Sequence, residues 1–188
     1  MLIEQSTCVP PENVGISFAA DVIRRHRQFI FVLRESITSF TSACLIDNER
    51  HTTLREALIC LCASLHSPDG PTATIRTDPA PGFQALAKDA SLKRHGIVID
   101  LGRTKNKNKN PVAEKAVQEL KAEILRQDPS SDPVSHLSLT LAVSRLNSRI
   151  RSRGLSAYEM WTQRDQFTNS QLKLSDAQVI RNQYLLGK

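Results

Sequence analysis

Apolar residues between positions 15 and 47 come in three dense runs, GISFAADVI, QFIFVLRESI and SFTSACLID, separated by charged residues. Runs of this length, rich in Ile, Val, Phe and Thr, predict strands. Their close succession predicts an antiparallel meander whose middle strand is apolar on both faces. The period then changes. In HTTLREALICLCASL, Leu54, Leu58, Leu61 and Leu65 fall at helical spacing, with Thr52 or Thr53 available as a cap and SPDGP as the stop. A short strand, TATIRTD, a PAPG turn, a helix FQALAKDASLKRHG closed by Gly96 and a second short strand, IVIDLG, follow. A long helix is expected over residues 112–127, with an apolar stripe of Ala113, Ala116, Val117, Leu120 and Ile124, and another over about 134–151 after the DPSSDP turn. Strands followed by alternating helix and strand predict an α/β fold: a mixed five-stranded sheet, a meander first and parallel strands after it, with helices on both faces. Residues 1–12, polar and carrying Pro10 and Pro11, read as an entry linker, 13–165 as the core, and 166–188 as an exit linker, helical near its end.

Composition narrows the partner more than the fold. A chain of 188 residues holds one well-filled core, and its net charge of +6 favours an anionic partner. Cys8, Cys44, Cys60 and Cys62 form no disulfide framework, and the five histidines do not combine with them at zinc-finger spacing. The expected compartment is reducing and intracellular, since no run approaches the length of a membrane span or a secretory leader.

Three acids stand at positions where a carboxylate calls for a reason. Asp21 interrupts the apolar strand AADVI, and a mid-strand charge is costly unless paired, solvated or metal-bound. Asp78 ends a strand before Pro79, where a turn-starting role is an equally good account. Glu114 opens the long helix, where the helix dipole alone favours an acid. Between Asp78 and Glu114 lie 35 residues.

That order and spacing resemble the catalytic signature of the retroviral and retrotransposon integrase core. FAADVI, IRTDPAPGF and NKNPVAEKAVQEL look like integrases of gypsy-type long-terminal-repeat retrotransposons, and LNSRIRSRGLSAYEMWTQRD is similar to the closing S-x-Y-E motif. The resemblance implies a ribonuclease H-like fold and a polynucleotidyl transferase that trims element ends and joins them to target DNA. Asp21, Asp78 and Glu114 would together hold two Mg²⁺ or Mn²⁺ ions, which suit hard oxygen donors. Element and target DNA would be partners, with phosphate or base contacts from Lys105, Lys107 and Lys109 in the loop TKNKNKN and from Gln118 and Lys121 on the face of Glu114. A homodimer and a nuclear location are further implications. The family's terminal zinc and DNA-binding domains find no counterpart, so the chain reads as an isolated catalytic core, a polyprotein fragment or a partial gene copy.

Two other readings compete. A ribonuclease H-type nuclease would use Asp21, Glu56 and Asp78 and require a fourth acid on the last helix, which residues 134–151 lack. A catalytically silent, integrase-derived DNA-binding or interaction protein would keep the fold without the reaction. Arg145, Arg149, Arg151 and Arg153 form a late basic cluster that reads as a solvated face, a subunit contact or a DNA contact, and Tyr158 and Trp161 as core residues.

Overall fold

In a computed structural model of the chain, residues 11–102, 110–130, 132–151 and 154–186 are described, with side chains up to residue 181. The three apolar runs form β1 (Ser17–Arg25), β2 (Gln28–Glu35) and β3 (Thr41–Ile46), paired antiparallel. After α1 (His51–Ala63), β4 (Ala73–Thr77) joins the other edge of β1 in parallel. Helices α2 (Pro81–Ala87) and α3 (Ser91–Arg94) lead to β5 (Ile97–Leu101), parallel to β4. The sheet order is β3-β2-β1-β4-β5. The chain closes with α4 (Pro111–Gln127), α5 (His136–Ser148), α6 (Ala157–Thr162) and α7 (Asp176–Leu186).

Strand alternation splits the core into two layers. Phe18, Ala20 and Val22 of β1, with Phe31 and Leu33 of β2, pack under α1 to α3. Ile23, Ile30 and Val32 face the other way, against Ala116, Leu120 and Ile124 of α4 and Leu139, Ala142 and Leu146 of α5. Helices therefore lie on both faces, and the middle strand of the meander is buried on both. This is the expected mixed sheet of the ribonuclease H type.

Four local expectations needed correction. The helix predicted across FQALAKDASLKRHG is two helices, because Asp89 turns the chain: its Oδ1 accepts from the Ser91 amide at 2.8 Å and from the Ser91 hydroxyl at 2.6 Å, while His51 and Arg55 of α1 hold Oδ2. Local side-chain bonds of this kind compete with helix continuation. Neither Thr52 nor Thr53 caps α1, whose N-cap is Arg50. Helix α5 is shorter at both ends than expected, opening on Ser135, whose side chain caps the Ser138 amide at 3.0 Å. Tyr158 is 40% exposed, whereas Trp161 stacks on Phe40 with ring centroids 5.4 Å apart.

The glycine of PAPGF has a packing reason. A Cβ on Gly82 would stand 2.7 Å from both the Glu49 carbonyl oxygen and Leu54 Cδ1, so α2 meets the start of α1 only without a side chain there. Beyond Arg164, residues Leu174, Val179 and Ile180 pack with Ile37 and Met160 in a third, small cluster. No helix among the described residues is long and apolar enough to cross a membrane.

Candidate active site

Asp21 lies midway along β1, opposite Val32 of β2, on the face that α4 covers. Its own backbone supplies one partner: the Val22 amide donates to Oδ1 at 2.8 Å. Burial pushes the Asp21 carboxyl above the ordinary carboxylate range, and the negative charges of Asp78 and Glu114 push it further, against the pull of the Val22 amide and Arg24. Two acids distant in sequence thus act on Asp21 through space, and the cause is topological. Parallel pairing of β4 with β1 carries the chain end at Thr77 toward Asp21, and α4 starts beside the same strands.

Each acid is held by a local device. Asp78 is half-buried and starts the expected turn, its Oδ1 accepting from the Ala80 amide at 3.1 Å, so the turn-forming role and the proximity to Asp21 coexist. Glu114 is exposed in the first turn of α4, with its amide bonded to the Asn110 carbonyl at 3.0 Å. Gln118 and Lys121 are also exposed on α4, in register with Glu114. Lys105, Lys107 and Lys109 lie outside the described residues. The rival acid Glu56 is exposed on α1 and is not among the charges acting on Asp21.

Asn110 is the residue that sequence reading passed over. It is 5% exposed, and its Nδ2 donates to the Ala20 carbonyl at 3.3 Å and to the Arg76 carbonyl at 3.2 Å. Those carbonyls belong to the residue before Asp21 and to the residue two before Asp78, while the Asn110 backbone starts the helix of Glu114. One side chain therefore ties together the three segments that carry the acids. The signal was present only as the last Asn of a polar run, before a proline that fits the first turn of a helix.

Arg24 was also not anticipated. Its guanidinium forks onto Glu49, Nε to Oε2 at 2.8 Å and Nη2 to Oε1 at 2.6 Å, and it also feels the charges of Asp21 and Asp78. Arg24 thus stands as a cation at the rim of an acidic centre, itself tethered to a carboxylate. Among the described residues no three His, Cys, Asp or Glu side chains are drawn close enough to form a metal cage. The donors are all carboxylate oxygens, the set that hard divalent cations prefer.

The closing motif resolves into a structural device. Ser156 caps α6 by accepting from the Glu159 amide at 3.1 Å, and the Glu159 carboxylate in turn accepts from the Ser156 amide at 3.1 Å. Ser156 and Glu159 are both buried, so S-x-Y-E here is a capping box that fixes α6 and seats Trp161.

The five-stranded order, with its meander and two parallel strands, and the helices on both faces define the ribonuclease H-like fold of integrase catalytic cores. Among solved structures the chain is similar to the catalytic core domain of BIV integrase, with a TM-score of 0.64 and 21% identity over 79% of this chain and 94% of that one. No protein-family model matches the chain, and no curated protein matches it.

Proposed function

We propose that the chain is the catalytic core of a retroelement integrase, a polynucleotidyl transferase acting on DNA phosphodiesters, and that Asp21, Asp78 and Glu114 are its catalytic carboxylates. The observation that carries this reading is the electrostatic coupling of Asp21 to both Asp78 and Glu114, on a sheet whose order is that of an integrase core. Asp21 would hold both divalent cations, with Asp78 and Glu114 completing one site each. Such ions, Mg²⁺ or Mn²⁺, activate an attacking oxygen and stabilise the leaving one in an in-line displacement. The chain's own part is position. Asn110 fixes the relative placement of the three acids, the start of α4 gives Glu114 a rigid base, and Arg24 offers a cation near the phosphate that the acids would otherwise repel.

Water would be the nucleophile in end trimming and the freed 3′-hydroxyl in strand joining, so no covalent enzyme intermediate is needed. Gln118 and Lys121 would follow the DNA backbone outward from Glu114, and Lys105, Lys107 and Lys109 would meet it from the preceding loop. The resemblance to integrase cores further suggests a homodimer that works in the nucleus on element ends and target DNA.

The test is incubation of the purified chain with labelled element-end duplex and Mn²⁺ or Mg²⁺, scored for nicking and joining. Asp78→Asn should abolish both without lowering the melting temperature; a fully active D78N enzyme would refute the triad. A folded, DNA-binding protein that neither nicks nor joins would instead favour the silent, integrase-derived reading.

A further inference from the structure

The mechanism above leaves unused a second charged feature, on the side of α4 turned away from Glu114. Glu123 lies nine residues beyond Glu114, which at about 100° per residue places it roughly half a turn round the helix and about 13 Å along it. Its side chain is 3% exposed, although nothing apolar about a carboxylate favours burial there. Two arginines account for it: Arg126 Nη1 donates to Oε1 at 2.9 Å, and Arg149 Nη2 is paired with the same oxygen. Both arginines remain substantially open to solvent, with side chains 57% and 44% exposed. On α5, one turn before Arg149, Arg145 is exposed and has no carboxylate partner among the described residues.

These groups line a cavity of about 640 Å³ between α4 and the end of α5, bounded by Glu123, Arg126, Gln127, Arg145, Ser148 and Arg149. Three guanidinium groups surround one carboxylate, so the cavity keeps a net positive charge after Glu123 is neutralised. The buried carboxylate has a further effect, because it tethers Arg126 through Nη1 and Arg149 through Nη2 at the edge of the cavity. A guanidinium has five N–H donors, and donors beyond those on Glu123 suit the tetrahedral oxygens of a phosphate. None of the six lining residues is apolar. A protein partner would ordinarily bring apolar side chains to be buried beside its charges, whereas a nucleic-acid backbone brings charge and sugar.

We propose that this arginine-lined cavity is a second nucleic-acid contact that takes a backbone phosphodiester on the far side of α4 from the catalytic acids. It rests on reading the chain as a DNA-handling protein, and it does not require catalysis. Its geometry lets the chain grip a DNA segment other than the one at Asp21.

The test uses the full chain in metal-free buffer, with a fluorescent duplex of arbitrary sequence, and reads affinity from 50 to 200 mM KCl. Each phosphate neutralised contributes about 0.9 to the slope of log affinity against log salt. Arg145→Ala should therefore lower the slope by about 0.9, making the affinity lost over this fourfold salt range about 3.5 times smaller than in the wild type. Arg145→Lys, which keeps the charge, should restore the slope. Inorganic phosphate should compete with the duplex no better than chloride at equal ionic strength, which separates a backbone site from one for the free ion. An unchanged slope in Arg145→Ala, absence of duplex binding by the wild-type chain, or preferential displacement by inorganic phosphate or poly-glutamate would overturn the proposal. Loss of nicking in the Mn²⁺ assay with the slope change intact would overturn the catalytic reading and leave this one standing.

Discussion

Replacing Asn110 with alanine tests the link between the fold and the proposed chemistry most directly. The change removes two hydrogen bonds, a buried one to the Ala20 carbonyl and a partly buried one to the Arg76 carbonyl, both long at 3.3 and 3.2 Å. Bonds of this quality contribute about 0.5–1 kcal/mol each, and the carbonyls they leave also lose a partner. Against this stands Oδ1, which is buried with no partner among the described residues, so its removal returns part of the cost. The balance is a destabilisation of about 1–2 kcal/mol, or roughly 2–8 °C in melting temperature for a chain of this size. Activity should suffer out of proportion. Misplacing a reacting group by about 1 Å can reduce a rate by about 100-fold, and Asn110 is the side chain that sets α4 against both acid-bearing strands. Asn110→Asp is the sharper variant: it places acceptor oxygens against two carbonyls and adds charge in a buried position, and should cost more than the alanine. Melting curves and Mn²⁺-dependent nicking, measured well below the melting temperature of each variant, check both statements. An Asn110→Ala protein that nicks at the wild-type rate would refute the positioning argument, whatever its stability.

Other expectations follow from the same geometry. Asp21 has a raised carboxyl in the folded state, so the native protein holds that proton more tightly than the unfolded chain; the cost of its charge is absent below the ordinary value of 3.8 and complete once pH has passed the raised folded value. Asp21→Asn should therefore melt higher than the wild type at pH 7 and lose that advantage as pH falls toward 3, and a pH-independent difference would show that burial of the charge is not the cause. Mn²⁺ should raise the wild-type melting temperature at pH 7, by about 1.4 kcal/mol of stability at ten times its Kd, and should do so far less in Asp21→Asn; equal shifts would place the ion elsewhere. Ser156→Ala removes the cap of α6 and should cost about 1–2 kcal/mol in thermal unfolding, with nicking retained at low temperature, because the motif acts through packing. Gly82→Ala forces α2 away from Glu49 and Leu54 and should cost about 1–3 kcal/mol, a loss that equilibrium unfolding would reveal.

The sheet was legible because its signals are local. Each of the first three strands is a short apolar run bounded by charge, and the last two are bracketed by turn residues, so element type and order followed from periodicity alone. What escaped depends on partners far along the chain. Asp89 reads as one more helical residue until His51 and Arg55 hold it, and the burial of Glu123 depends on Arg149, just past the end of α5. At the candidate site the same division holds. The acids were visible as residues out of keeping with their surroundings, and spacing suggested that they belong together. The side chain that places them, Asn110, was hidden because it ends a run of alternating asparagines and lysines. A polar residue in a polar run carries no signal of its burial. Burial at 5% beneath the start of a helix, with its amide turned to two strands, is decided by how α4 enters the sheet. The identity of a metal-binding acid is therefore easier to read from a chain than the identity of the group that aims it, because the first violates a local rule and the second obeys one.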